Sequence, residues 1–243
     1  NLFSSGAEFG RKAWSEARWR TWHSVDRNGG LYPSHGIGPC AMYTGINRGN
    51  RFTRINSFAS KARGLHEFVV AQGGPDHPNA KVGFQLGDIV TTTLSCANGE
   101  TILLQHDTSL PRPYSLGFRV QGTRGLWMDV NQSIHIEHRS PAHKWEDFAG
   151  YQAQYDHPAW RKYAKSAEGA GHGGMDFFVI HAFVEAVKAH APMPIDIYDA
   201  VTWSAITPLS EQSIAQDYAT LDFPDFTAGA WQHRKPIFAF DAG

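Results

Sequence analysis

The sequence has little cysteine and almost no net charge. Its 243 residues include 2 cysteines, and 22 Lys and Arg stand against 23 Asp and Glu, giving a formal net charge of −1. Cys40 and Cys96 alone cannot form a disulfide scaffold or a cysteine-based zinc site, so both are expected to be packed thiols. Because no cationic surplus exists to neutralise phosphates, the composition argues against general nucleic-acid binding.

Long apolar runs and a leader segment are also lacking. No run of about 18 apolar residues occurs, so no membrane-spanning helix is expected. Residues 1–6 contain no initiator Met, no basic region and no apolar core, which excludes a signal peptide and indicates a stretch cut from a longer chain. The 42% hydrophobic and 19% charged residues are typical of one soluble globular domain, residues 1–243.

Histidine is abundant, but metal-binding spacings are missing. The 13 His include no HExxH motif and no cluster with Cys. The segment 133–138 alternates as a strand, which places His135 and His138 on opposite faces. We therefore expect no metal site.

Periodicity predicts an α+β fold with a mostly antiparallel open sheet covered on one face by helices. Asn98-Gly99 between two β-branched runs predicts a hairpin with a type I′ turn. Further helices are expected at 7–17, after Pro39, at 175–191, and from the capping residue Asp196 towards Gln216 with a kink or break at Pro208. Strands are expected at 52–58, 88–96, 101–106, 115–121 and 133–138.

One segment combines rigidity with reactive side chains. Residues 28–39 contain four Gly and two Pro, and they place Tyr32 and His35 three residues apart. Loops held by Gly and Pro can present such side chains to a ligand at little ordering cost. A structural turn with a buried Tyr is the alternative.

Two further segments are candidates. Pro111 and Pro113 bracket a loop that presents Arg112 and Tyr114 at a strand end, either as a ligand site or as a rigid connection. Residues 169–176, Gly-Ala-Gly-His-Gly-Gly-Met-Asp, open a helix but lack GxxxxGK[ST] and a preceding Rossmann strand, which excludes a nucleotide phosphate loop. There Asp176 is either a helix cap or, with His172, part of a pocket.

Aromatic side chains without a basic surplus fit carbohydrate binding, because Trp and Tyr rings stack on the C–H faces of sugars. Large aromatics are also common core residues. Chemistry alone therefore predicts a small polar ligand, with candidate stacking residues Trp19, Trp22, Tyr32, Tyr114 and Trp231.

Eight segments, in order along nearly the whole chain, resemble glycoside hydrolase family 109. These are the NAD-dependent α-N-acetylgalactosaminidases of the Gfo/Idh/MocA oxidoreductase superfamily. The segments are Trp19-Arg-Thr-Trp-His, Arg27-Asn-Gly-Gly-Leu-Tyr-Pro-Ser-His-Gly-Ile-Gly-Pro, Ile46-Asn-Arg-Gly-Asn-Arg-Phe, Gln105-His-Asp-Thr-Ser-Leu-Pro-Arg-Pro-Tyr-Ser, Tyr155-Asp-His-Pro, Gly171-His-Gly-Gly-Met-Asp-Phe, Leu209-Ser-Glu-Gln-Ser and Pro224-Asp-Phe-Thr.

The resemblance covers the C-terminal substrate-binding and oligomerisation domain of a two-domain enzyme, and implies that the N-terminal Rossmann domain and its NAD fingerprint lie outside this chain. It assigns substrate contacts to six residues and a nicotinamide contact to one of them, Tyr32. Ser34 replaces the usual Thr, and Gly30 stands where Asn is usual, which predicts a looser loop. The six substrate-binding residues are Arg20, Tyr32, Pro33, Ser34, His35 and Tyr114.

The mechanism implied by the resemblance oxidises C3 of the sugar, eliminates across C2 and C1, adds water and reduces C3 again, rather than using two carboxylates. His35 is then expected to act as a base or orienting group near O3, with Tyr32 positioning the sugar. A sugar dehydrogenase with net NAD(P) reduction and a non-catalytic sugar-binding fragment are the alternatives. Homo-oligomers through the sheet and a periplasmic location are further expectations from the family.

Overall fold

A computed structural model of the chain describes the backbone of residues 16–236 and the side chains of residues 21–236. Short 3-10 helices lie at Pro78–Lys81, His172–Gly174 and Ala230–Gln232. The α-helices are α1 Glu16–Asp26, α2 Ser34–Tyr43, α3 Gly64–Gly73, α4 Ala149–Tyr155, α5 Pro158–Ala167, α6 Met175–Lys188 and α7 Ile197–Ala215. The strands are β1 Phe52–Ala59, β2 Ile89–Cys96, β3 Thr101–Asp107, β4 Arg119–Gly122, β5 Gly125–Met128, β6 Ser133–Ile136, β7 Glu146–Asp147 and β8 Leu221–Asp222.

Contacts divide the chain into two compact units. Among the described residues, the first unit comprises 16–112 and 197–236, and the second unit comprises 113–196. Each is built from helices and one antiparallel sheet, so the α+β class is confirmed. The single domain over residues 1–243 stays a prediction. Among residues 16–236, no helix has both the length and the apolar character needed to cross a bilayer.

The first unit has a four-stranded antiparallel sheet in the order β3-β2-β1-β8. Alternate residues of β2 are buried, and in the register of the sheet Ile55 lies opposite Leu94, which lies opposite Ile102. Helices α2 and α7 pack on this apolar face, as the period-2 pattern predicts. The core of this unit consists of Ile37, Ala41, Ile46, Phe52, Ile55, Leu94, Cys96, Ile102, Ile206 and Phe223.

Both cysteines are packed free thiols, as expected. Cys96 is buried in the core and Cys40 packs against it. Burial, aided by the nearby Glu100 carboxylate, raises the pKa of the Cys96 thiol to about 11. At neutral pH the thiol is therefore protonated and poorly nucleophilic.

The hairpin between β2 and β3 is present, but its turn is not type I′. Gly99 has φ +96°, whereas Asn98 is not among the residues with positive φ. The Asn98 side chain donates to the Gly49 carbonyl at 3.1 Å, and its backbone N–H donates to Asn50 Oδ1 at 3.1 Å. These contacts hold Asn98, so only the following Gly takes the left-handed conformation.

Proline lies inside two helices, and one of them begins earlier than predicted. Helix α2 begins at Ser34 rather than beyond Pro39, since the Pro33 carbonyl accepts from the N–H groups of Gly36 and Ile37 at 3.1 and 2.8 Å. Pro39 inside α2 removes one N–H donor without ending the helix. Similarly, α7 runs on through Pro208. The helix predicted at 7–17 lies outside the described residues except for its last two, which belong to α1.

The second unit has a four-stranded antiparallel sheet in the order β4-β5-β6-β7, followed by α4–α6. The strand predicted at 115–121 starts only at Arg119, and β5 was not predicted. Helix α6 confirms the prediction at 175–191, and aromatic contacts such as Trp160 with Phe178 join it to α5. The apolar face read from the sequence is exposed, however, and the buried residues of α6 are Ala182 and Ala186.

A buried polar cluster ties the segment after α2 to α7. Arg48 forms a two-pronged ion pair with Asp199, both N–O distances being 2.7 Å, and the two side chains are 3% and 2% exposed. Asn47 donates to the same carboxylate and to Thr202. The Ile46–Phe52 motif therefore has a structural role.

Candidate functional site

The segment that carries Tyr32 is anchored on helix α7. Arg27 bridges to Glu211 with N–O distances of 2.6 and 2.8 Å. The Gly30 N–H donates to Ser210 Oγ at 2.8 Å, and the Gly30 carbonyl accepts from Thr207 Oγ1 at 2.8 Å. Both polar groups of the Gly30 backbone are thus bound, which holds the segment in place even though Gly30 lacks a side chain.

Gly29 and Gly30 differ in the space around them. A Cβ on Gly29 would lie 2.5 Å from Glu211 Cγ and 2.9 Å from Ser210 Oγ, whereas one on Gly30 would meet its nearest atoms at 3.6 Å. Close approach of the backbone to α7 therefore requires glycine at position 29 and tolerates a larger residue at position 30.

Tyr32 and His35 form a stacked pair at the beginning of α2. Their ring centroids are 4.6 Å apart with an interplanar angle of 28°, and Tyr32 is 48% exposed. Ser34 Oγ lies 3.5 Å from His35 Nδ1, and both of these side chains are exposed. Pro33 fixes the backbone between the two rings. Four of the predicted site residues, 32–35, are thus brought together at one solvent-accessible position.

A cavity of about 60 Å³ lies beneath this pair, entirely within the first unit. Its walls come from the Tyr32 segment, α2, β2, β3 and α7, and are Gly30, Tyr32, Pro33, Gly36, Val90, Thr92, Leu104, Gln105, His106 and Ile206. The volume matches a few non-hydrogen atoms, about two water molecules at liquid density.

His106 is the functional candidate that sequence reasoning missed. Burial lowers the pKa of the His106 imidazole, and the adjacent Asp107 carboxylate opposes this only in part. The ring is therefore neutral at neutral pH, with one nitrogen able to donate and the other able to accept. The alternation of β3 could have found it, because His106 shares the inner face with Ile102 and Leu104.

The other predicted substrate residues, Arg20 and Tyr114, lie outside the described side chains of the first unit. The side chain of Arg20, on α1, lies outside the described residues. Tyr114 belongs to the second unit and is 88% exposed. Arg112, at the end of the first unit, pairs with Asp107 Oδ2 at 2.9 Å and thereby fixes the start of the proline-bracketed loop.

His172 and Asp176 pair with each other on the surface of the second unit. His172 Nδ1 lies 2.8 Å from Asp176 Oδ1. No side-chain cap is found at the beginning of α6, where Gly174 has the cap position, so Asp176 is not the cap. A cavity of about 470 Å³ nearby is lined by Gly169, Gly173 and Gly174 but by neither of the pair. A binding role for His172 and Asp176 stays a prediction.

No grouping of three or more His, Cys, Asp or Glu side chains suited to a metal ion occurs in the part of the chain that the structure describes.

Comparison with known proteins places the chain in a family. Residues 1–233 match the family described as "Glycosyl hydrolase 109, C-terminal domain". The chain belongs to this family. The resemblance seen in the eight sequence segments is thereby confirmed.

Named relatives agree with the family match. A glycosyl hydrolase family 109 protein of Stenotrophomonas maltophilia (strain K279a) is 78% identical over 98% of this chain and 53% of its own length. An alpha-N-acetylgalactosaminidase of Tannerella forsythia is 53% identical over 98% of this chain and 51% of its own length. The family 109 domain spans about half the length of these curated relatives.

Two solved structures share the fold. A levoglucosan dehydrogenase in complex with NADH and levoglucosan has a TM-score of 0.54 at 15% identity, covering 86% of this chain and 62% of its own. An inositol dehydrogenase homolog from Azotobacter vinelandii, complexed with NADH and myo-inositol, has a TM-score of 0.52 at 16% identity. The match covers 84% of this chain and 52% of the homolog's chain. These likenesses confirm the α+β fold expected from the resemblance.

Proposed function

We propose that this chain supplies the sugar site of a glycosidase that releases terminal N-acetylgalactosamine. Family membership and the activity named for the Tannerella relative support the reaction class. The observation that carries the proposal is the exposed, stacked Tyr32–His35 pair, held by Pro33 and anchored through Gly30 on α7. An aromatic face beside an imidazole suits the C–H face and the hydroxyls of one sugar ring.

Each residue of the pair has a role in the proposed reaction. His35 accepts the proton from O3 of the sugar, or orients that hydroxyl, because an imidazole exchanges protons readily near neutral pH. Ser34 Oγ, 3.5 Å from His35 Nδ1, helps to set the direction of the ring. Tyr32 provides the surface against which the sugar is positioned, and Pro33 fixes the backbone between the Tyr32 and His35 rings. Arg20 and Tyr114 are proposed to add substrate contacts.

Tyr32 is also the residue proposed to touch the cofactor. Its ring is half-exposed and stacks with His35, which leaves aromatic surface for a nicotinamide ring beside the sugar. Tyr32 would contact the nicotinamide ring of NAD, and NAD would supply reversible oxidation at C3 of the sugar, which acidifies the C2 proton for elimination of the glycosidic bond before water adds at C1. The donors for the rest of the dinucleotide are proposed to lie in a Rossmann domain that partners this one. Self-association through the sheet and a periplasmic location also stay proposals.

Replacement of His35 tests the proposed roles. His35→Ala in the full-length protein, assayed with p-nitrophenyl α-N-acetylgalactosaminide, is expected to abolish turnover, because O3 then lacks its proton acceptor. His66→Ala, at an exposed position of α3 in the same unit, serves as the matched control and is expected to retain full activity.

Near-normal turnover by the His35→Ala variant would contradict the role of His35. Steady accumulation of NADH without release of free sugar by the wild-type protein would instead indicate a sugar dehydrogenase.

A further inference from the structure

His106 lies at the inner end of the candidate sugar site. It is the sixth residue of β3, opposite the buried Val90 of β2, and it continues the inward-facing row of Ile102 and Leu104. That row otherwise packs against the core. His106 differs because it contributes to the wall of the cavity beneath Tyr32 and Pro33.

The cavity is uncharged. No Asp, Glu, Lys or Arg lines its wall, and the His106 ring is neutral because burial lowers the pKa of its imidazole. Four of the other wall residues have apolar side chains, namely Pro33, Val90, Leu104 and Ile206. A charged group entering this space would lose its hydration without gaining a counter-charge.

The hydrogen-bonding capacity of His106 is unused by the described protein. Thr92, also in the wall, is engaged with Ser57 at 2.8 Å. By contrast, no hydrogen bond to either ring nitrogen of His106 is found among the described residues 21–236. A group that enters the cavity can therefore bind these nitrogens without displacing a protein partner.

We propose that His106 is a substrate-contacting residue that hydrogen-bonds a small uncharged substituent of the sugar within this cavity. The proposal rests on the proposed sugar-binding function and deepens it. The volume of about 60 Å³ limits the substituent to a hydroxyl or an acetamido group and excludes a second sugar unit. An imidazole that both donates and accepts suits either group.

Three variants of the full-length protein test this contact by calorimetric titration with N-acetylgalactosamine and with galactose, in the presence of NAD⁺. His106→Leu keeps the bulk of the side chain but cannot hydrogen-bond, and is expected to weaken N-acetylgalactosamine binding about tenfold. His106→Gln restores a donor and an acceptor, and its dissociation constant for N-acetylgalactosamine is expected to lie within about threefold of the wild-type value. His66→Leu is the matched control and is expected to leave the dissociation constant unchanged.

The two sugars identify the substituent. If His106→Leu removes the preference for N-acetylgalactosamine over galactose, the acetamido group occupies the cavity. If His106→Leu lowers the affinity for both sugars equally, a hydroxyl group occupies the cavity. Unchanged affinity of folded His106→Leu for both sugars would overturn the contact while leaving the proposed function standing. Failure of the wild-type protein to bind either sugar would overturn both.

A second measurement covers the case in which His106→Leu does not fold. The ring nitrogens of His106 in the wild-type protein, assigned by NMR against His106→Gln, are expected to change chemical shift when the sugar saturates the site. Signals that stay unchanged at saturation would overturn the proposal.

Discussion

Two adjacent glycines show how closely the Tyr32 segment approaches helix α7. Neither Gly29 nor Gly30 has a positive φ, so an alanine at either position is compatible with the backbone. They differ only in space, because Glu211 Cγ lies 2.5 Å from the Cβ position of residue 29. Glycine at position 29 is thus a requirement of packing rather than of turn geometry.

This difference gives a paired prediction. Gly29→Ala is expected to lower the free energy of unfolding by about 1–3 kcal/mol, because the backbone of the segment must move away from α7. Gly30→Ala, whose Cβ meets its neighbours at ordinary contact distance, is expected to change it by less than about 0.5 kcal/mol. Urea unfolding of both variants checks this. Equal stability of the two variants would show that the segment does not sit as tightly on α7 as described.

Sequence reasoning singled out the exposed Tyr32 and His35 as candidates and passed over His106. The Gly and Pro content of residues 28–39 marks a constrained path, and the structure places Tyr32 and His35 on its surface. His106 was predicted as the last residue of a strand and was given no functional role, because Pro111 and Pro113 drew attention to residues after the strand. Its place in the cavity depends on the register of β3 with β2 and on the position of α2, and both are set by tertiary packing.

At the scale of elements, two ion pairs contrast burial with exposure. Arg48 and Asp199 join the segment after α2 to the first turn of α7 and are almost completely buried. Arg54 and Asp222 face each other across β1 and β8 at 3.6 Å, and their side chains are 60% and 88% exposed. The first pair holds two elements of the core together, whereas solvent screens the second.

Removal of one partner from each pair is expected to have unequal effects. Arg48→Met is expected to lower the free energy of unfolding by about 3–5 kcal/mol, because it leaves the Asp199 carboxylate buried without its counter-charge. Arg54→Met is the control, and it is expected to lower the free energy of unfolding by less than about 1 kcal/mol. Thermal and urea unfolding measure both. A cost for Arg48→Met as small as that for Arg54→Met would contradict the structural role of the pair.

Strands with clear alternation and the span of α7 were predicted within one or two residues, whereas the beginning of α2 was not. The pattern of β2 appears directly in the sequence because one of its faces is buried. A start beyond Pro39 and a kink or break at Pro208 were expected, yet both prolines lie inside helices, since the packing of α2 and α7 on the sheet outweighs one lost hydrogen bond each. Strand β5 was missed because Gly125-Leu-Trp-Met has no alternation.

At the scale of the whole molecule, the chain spans about half of its curated relatives, 53% and 51% of the two named above. The fold class followed from strand and helix periodicity, and the family followed from motifs spread along the chain. The division into two units was not predicted, although Pro111 and Pro113 flank its first boundary and Pro192 and Pro194 precede its second. In this account the 243 residues contribute a sugar site that works together with a cofactor-binding domain.

The most direct test of the central claim is hydrolysis by the full-length protein in D₂O. The proposed elimination removes the C2 proton of the sugar and the later addition of water replaces it from solvent, whereas hydrolysis by two carboxylates leaves C2 untouched. Mass spectrometry and NMR of the released N-acetylgalactosamine are expected to find one deuterium at C2. Release of the sugar with its original C2 proton would contradict the account.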